Sequence, residues 1–182
     1  AGIEVLTWDD LDASQRKEAE QWYNRNIFPI LTPLAVDPGH RFPFISNMSV
    51  SVGVQLERPG DPDRLFARVK VPEVPSRMYR FDGTSTYVPV REIISHNLED
   101  LFPGMRITKV MPFRVTRNAD IENENEDAED LLVQIQQQLR ERRFAKVVRL
   151  EIGRGSDPKM VQMLCDELNL APDDVYETDG FF

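Results

Sequence analysis

Hydrophobic and polar positions change their period several times along the chain, and each change marks a predicted element. From Leu6 to Ile27 a polar start around Thr7, Asp9, Asp10 and Asp12 gives way to Ala19, Trp22, Tyr23 and Ile27 at helical spacing. That pattern predicts a helix, ended by Pro29 and Pro33. Met48, Val50, Val52, Val54 and Leu56 then alternate with Ser49, Ser51, Gly53, Gln55 and Glu57, as in a strand with one buried face. Arg58 to Asp63 has the Pro and Gly of a turn, and alternation resumes from Leu65 to Val71 until Pro72 and Pro75 stop it. The two runs predict a β-hairpin.

Arg77 to Tyr87 reads as a second pair of short strands about a turn at Asp82-Gly83. Pro89 sits where the first turn of a helix tolerates it, and Val90, Ile93, Ile94, Asn97, Leu98 and Leu101 follow at helical spacing up to Pro103-Gly104. Ile107 to Thr116 is a strand with Met111, Phe113 and Val115 opposite Arg114 and Thr116, and Pro112 suggests an edge or a bulge. A helix is predicted from Glu126 to Phe144, with acids in its first turn and Arg140, Arg142 and Arg143 in its last, complementing the macrodipole. A strand from Val147 to Ile152, a turn at Gly153 to Ser156, a helix capped by Asp157-Pro158 and an extended segment from Asp173 to Thr178 complete the chain. Hairpins and helices without regular βαβ alternation indicate an α+β fold: a mixed, largely antiparallel sheet packed against about three helices.

Between the first helix and the first long strand, Leu31 to Asn47 matches neither period. Prolines at 33, 38 and 43, with Pro29 just before, restrict the backbone, and Leu34, Val36, Phe42, Phe44 and Ile45 supply apolar surface. An ordered, packed connection is expected, since a solvated linker would be polar or rich in Gly and Ser.

The 182 residues suffice for one domain, or a domain with a short helical preface. A net charge of −9 excludes a surface that grips nucleic acid or anionic lipid by bulk electrostatics, so any polyanion site must be local. The single Cys165 forms no internal disulfide and fits a buried thiol in a reducing compartment. No apolar run reaches membrane-spanning length, and no signal peptide opens the chain. A start at Ala1 without Met and an end at Gly180-Phe-Phe read as cuts within a longer protein.

The acidic run Asp120 to Asp130 could hold a hard cation, but it lacks the glycine and terminal bidentate Glu of a calcium loop and reads as the solvated N-terminus of a helix. Arg140, Arg142, Arg143, Lys146 and Arg149 form the dense basic cluster. Together with Arg114 and Arg117, which flank Thr116 near a strand end, these arginines are the phosphate-binding candidates, because a guanidinium offers paired donors to phosphate oxygens. The helix C-terminus accounts for three of them without a ligand, and Arg149 belongs to the polar face of its strand. His40 and His96 are the only histidines, and Asp37 and His40 are close enough in sequence to pair within a Pro-Gly turn. A metal-dependent hydrolase built from Asp37, His40 and the acidic run is the weakest reading. No phosphate loop, dinucleotide fingerprint or nucleophile elbow occurs. The residues alone show no active site.

Leu31-Thr-Pro-Leu-Ala-Val-Asp-Pro-Gly-His-Arg-Phe-Pro-Phe-Ile-Ser-Asn47 resembles a signature of the long polyphosphate kinases. Phe66 to Pro72, Phe113 to Asp120 and Arg142 to Glu151 agree in the same order, and Leu101 to Gly104 and Asp174 to Tyr176 are similar too. Departures are Arg41 where the family has proline, Ala145 where it has glycine, and Gly180-Phe-Phe where Gly-Pro-Leu is usual. The resemblance implies that residues 1–30 lead in from a preceding helical domain and that 31–182 form the head domain, with Pro33, Asp37, Gly39, His40, Pro43, Asn47, Asn118 and Asp120 as structural signature. It implies a cytoplasmic parent enzyme, free or membrane-associated, that moves the terminal phosphate of ATP onto polyphosphate through a phosphohistidine, with Mg²⁺. Two phospholipase D-like domains beyond this region would carry that histidine. The head domain would then bind neither ATP nor Mg²⁺ itself and would have no catalytic residue. It would serve homodimer or higher homo-oligomer assembly and support the catalytic tunnel, with no nucleic-acid partner and no transmembrane segment. The alternative is a free-standing module that binds polyphosphate or a nucleotide.

Overall fold

Asp12 sets the start of the first helix. Its carboxylate accepts from the Gln15 backbone N–H at 2.8 Å, and the Gln15 side chain accepts from the Asp12 N–H at 2.9 Å. This reciprocal cap satisfies two helix-end donors, so α1 runs over Ala13–Asn26. The apolar pattern from Leu6 placed the start too early, because Thr7 closes a separate turn by donating from its N–H and hydroxyl to Asp10. The computed structural model describes residues 2–36, 42–60, 63–73, 76–118 and 144–179. All but Phe144 of the helix expected from Glu126 to Phe144 lies outside the described residues.

Among the described residues the strands are β1 Glu4–Val5, β2 Leu34–Val36, β3 Val50–Glu57, β4 Arg64–Lys70, β5 Met78–Arg80, β6 Thr86–Pro89, β7 Arg106–Arg117, β8 Val147–Gly153 and β9 Val175–Thr178. With α1, the helices are α2 Val90–His96 and α3 Pro158–Leu168. One sheet has the order β1-β6-β5, the other β2-β4-β3-β7-β8-β9. Pairing is antiparallel except for β1 with β6 and β8 with β9. The fold is α+β, as the sequence pattern indicates.

Each face of the large sheet carries its own core. Val50, Val52, Val54, Ala67 and Val69 pack with Ala19 and Tyr23 of α1 and with Val90, Ile93 and Ile94 of α2. The Tyr23 hydroxyl also donates to Asn97 O at 3.0 Å, joining α1 to the end of α2. On the opposite face Phe66, Met111, Phe113, Val115, Leu150 and Ile152 pack with Met160, Leu164 and Cys165 of α3.

β3 is therefore covered on both faces, and Ser51 and Gly53 are as buried as their apolar neighbours. The expectation of one exposed face fails because small polar residues leave room for larger neighbours. A Cβ on Gly53 would lie 2.8 Å from Cε2 of Phe66, whose ring crosses the strand there. β7 likewise is an inner strand, but only its second half is paired on both sides, so Pro112 sits where the β8 side of the strand is locally an open edge and not at a bulge. It pairs with Val52 just past the last β7–β8 rung, Phe113 with Ile152. α2 ends at His96, and Leu98 and Leu101 belong to the turn that follows, which includes a 3₁₀ segment over Glu99–Leu101. The extended segment after Asp173 is a true strand, β9, parallel to β8 across α3.

The irregular stretch from Leu31 contains β2, whose three residues are too few to show a period and which adds to the edge of β4. Its apolar residues divide: Ile45 is fully buried, while Leu34 and Phe44 remain exposed.

Candidate functional site

Arg117, the last residue of β7, gathers three separate stretches at one end of the large sheet. Its Nε donates to Ile45 O at 2.9 Å and its Nη1 to Ala145 O at 2.6 Å. Its guanidinium lies 4.5 Å from the centre of the Phe44 ring, and Phe44 meets Phe144 at 5.2 Å. The backbone N–H of Arg117 donates to Asn47 Oδ1 at 2.8 Å, and that of Asn118 to Lys146 O at 2.9 Å. Partial burial lowers the Arg117 pKa.

A second cluster sits on the polar face of β7, β8 and β9. Register places Arg114 opposite Glu151 and Glu151 opposite Tyr176. Arg114 donates from Nε at 2.7 Å and from Nη2 at 2.9 Å to the two carboxylate oxygens, the paired geometry that suits a guanidinium. Arg149 donates to the same carboxylate at 3.3 Å and stacks over Tyr176, 4.1 Å from its centre. Hydrogen bonding from Arg114 holds the Glu151 pKa below the ordinary carboxylate value, with burial opposing and the charges of Arg114 and Arg149 assisting.

Arg114 and Arg149 thus meet at Glu151, whereas Arg117 works at the neighbouring strand end. Of the signature residues, Pro33 leads into β2, Pro43 lies in the strap that Arg117 holds, and Asn47 and Asn118 close that strap against β7 and Lys146. Asp37, Gly39, His40, Asp120, Arg140, Arg142, Arg143 and the acidic run lie outside the described residues. His96 faces solvent, its Nδ1 2.9 Å from Glu92 O and its ring stacked on Trp8. Among the described residues no three His, Cys, Asp or Glu side chains converge as a metal site.

Arg68 escaped notice in the sequence. It is buried, donates from Nε to Ser51 Oγ at 3.0 Å and from Nη1 to Phe44 O at 3.1 Å, and so holds the same strap from β4. A charged residue in an otherwise apolar run, Ala67-Arg-Val69, was the available signal.

The family model described as the polyphosphate kinase middle domain matches residues 14–182. The chain belongs to the polyphosphate kinase family, as its middle domain. It is 42% identical to a polyphosphate kinase of Mycobacterium marinum over 98% of this chain and 26% of that protein. Against a polyphosphate kinase of Synechocystis the identity is 44%, again over 98% of this chain and 26% of the relative. The chain thus spans about a quarter of the length of these relatives. The crystal structure of polyphosphate kinase from Porphyromonas gingivalis has the same fold, with a TM-score of 0.73 over 99% of this chain and 26% of that one at 19% identity. Three of the polyphosphate kinase-like blocks in the sequence, residues 31–47, 113–120 and 142–151, supply the groups that meet at Arg117.

Proposed function

We propose that this chain is the head domain of a cytoplasmic polyphosphate kinase whose whole enzyme transfers the terminal phosphate of ATP reversibly to polyphosphate through a phosphohistidine. In this reading the domain itself serves homo-oligomer assembly and braces the catalytic tunnel. In the same reading ATP and Mg²⁺ belong to the rest of the enzyme. One observation carries the architectural role: Arg114, Arg117 and Arg149, the described phosphate candidates, all direct donors at partners within the fold. Purified chain and purified parent enzyme, each given ATP, Mg²⁺ and a polyphosphate primer, test the proposal. Synthesis by the parent alone is the expected result, and synthesis by the isolated chain sinks it.

A polyphosphate- or nucleotide-binding role is favoured by a different observation. Two guanidinium groups converge on the Glu151 carboxylate, and Arg149 stays 44% exposed. Titration with polyphosphate at several salt concentrations decides, because an anion site loses affinity steeply as salt rises.

A further inference from the structure

A cleft of ≈ 340 Å³ opens where β7 runs on beyond β8, a volume in the range of small-molecule sites. β7 pairs with β8 only from Phe113 onward, so among the described residues the strand before it has no neighbour on that side. Leu6, Pro89, Val110 and Pro112 line the cleft with apolar surface, and the turn over residues 153–156 with Thr178 and Asp179 completes it. We propose that this cleft binds a free amino acid with an aliphatic side chain. The carboxylate of the ligand lies on Arg154, its ammonium group on Asp179 and its side chain on Val110 and Pro112.

Charge selects this ligand. Two ion pairs line the cleft, and their formal charges sum to zero, which disfavours a polyanion. Arg91 meets Glu92 at 2.9 Å with side chains 12% and 19% exposed, and Glu92 also accepts from the Trp8 N–H at 3.5 Å, so that pair belongs to the fold. Arg154 meets Asp179 at 2.8 Å with side chains 74% and 72% exposed. An ion pair so open to water is worth little, and a ligand that supplies both charges can take its place. A simple anion would face the Asp179 carboxylate, and a simple cation the Arg154 guanidinium; a zwitterion meets both with opposite charge. The open edge of β7 adds backbone donors and acceptors of the kind that capture an amine or a carboxylate. Val110, exposed beside Pro112 in the same cleft, supplies the apolar surface that an aliphatic side chain covers.

Titration of the 182-residue chain with L-leucine, followed by calorimetry and by backbone amide NMR shifts, tests the proposal. The expected result is saturable one-to-one binding that moves the amides of Val110, Arg154, Gly155 and Asp179. Isocaproate, which lacks the ammonium group, and isoamylamine, which lacks the carboxylate, should each bind at least ~10-fold more weakly. Glycine, with both charges and no side chain, should be weaker by a similar factor of ~10. Arg154→Gln and Asp179→Asn should each weaken leucine binding ~10-fold and leave the thermal melt of the chain unchanged, since the exposed pair contributes little to the fold. No saturable binding of leucine up to its solubility limit overturns the proposal. So does equal binding by any of the three analogues, or by N-acetyl-leucinamide, which carries neither charge and would make the cleft a groove for peptide. Full-strength binding by either variant places the leucine elsewhere and overturns it as well.

Discussion

Arg68 and Arg117 grip adjacent carbonyls, Arg68 holding Phe44 O and Arg117 holding Ile45 O. The two arginines stand on strands separated by β3, so the strap they hold spans the end of three strands. Arg68 is buried, has no carboxylate partner and no hydrogen bond at Nη2 among the described residues, and burial pushes its pKa down. A guanidinium tolerates such a site because it is weakly hydrated and stays charged under any ordinary condition.

Arg117→Ala strands two carbonyls and removes a stacked cation, which should cost about 2–4 kcal/mol. Arg117→Lys keeps the charge but cannot reach both acceptors with fixed geometry and should recover less than half. Urea denaturation of the chain measures both. A double-mutant cycle with Arg68→Met should give a coupling of roughly 0.5–2 kcal/mol, as for groups sharing one structural element. Additive effects would show that the two arginines act on the strap independently.

The Glu151 pKa lies below its ordinary 4.5, and the sign of the stability change follows. A carboxyl whose folded pKa lies below its unfolded value contributes stability that is fully present above the unfolded pKa and is lost as pH falls through the folded one. Stability should therefore decline as pH drops below about 4.5. Glu151→Gln leaves Arg114 and Arg149 without their shared anion and should cost about 3 kcal/mol at neutral pH, in line with breaking a partly buried pair. Denaturation midpoints between pH 7 and pH 3 should show the wild-type advantage shrinking towards acid. A constant advantage across that range would mean the carboxylate charge contributes nothing.

The sequence exposed the long elements and hid those that depend on neighbours. β3, β4, β7 and α3 follow from periodicity, because a period of two or 3.6 is what a buried face writes into the chain. β2 and β9 were invisible as sheet strands: each is short, and each is extended only because it has β4 or β8 to pair with. The polar residues of β3 misled for a physical reason, since Gly53 lies under the ring of Phe66 and Ser51 is covered with the buried Arg68 that donates to its hydroxyl. At the site, Arg114 and Arg149 were legible as candidates from residue type. Their partner Glu151 follows Arg149 by two residues on the same strand face, but its pairing with Arg114 was hidden because it arises only through strand register.

Gly53→Ala should destabilise by about 1–3 kcal/mol, the usual cost of overpacking. Its new methyl group would sit 2.8 Å from Phe66 Cε2 and 3.4 Å from Met111 O. The Phe66 ring has little freedom to retreat, being buried and packed beside Phe42. Adding Phe66→Leu to Gly53→Ala should return part of the loss by vacating the contested space. Thermal melts of the two single variants and the double variant make the comparison. A double variant worse than the sum of the singles would rule out this contact as the cause.

Met48 adopts φ 59°, the left-handed region, at the turn into β3. Its backbone N–H donates to Val115 O at 2.9 Å, which ties that conformation to β7. The side chain is exposed and receives one weak contact, from Thr116 Oγ1 to Sδ at 3.5 Å. A side chain in this backbone region costs about 1–2 kcal/mol, which glycine avoids. Glycine also has more unfolded-state freedom to lose, worth roughly 0.5–1 kcal/mol in the other direction. Met48→Gly should therefore stabilise slightly, by about 0.5 kcal/mol, and Met48→Asn should match or exceed the native residue. Met48→Ile, β-branched and least tolerant of positive φ, should lose at least ~1 kcal/mol. Chemical denaturation should rank the series Gly and Asn above Met and Ile last, and an Ile variant as stable as the native chain would show that the turn relaxes without strain.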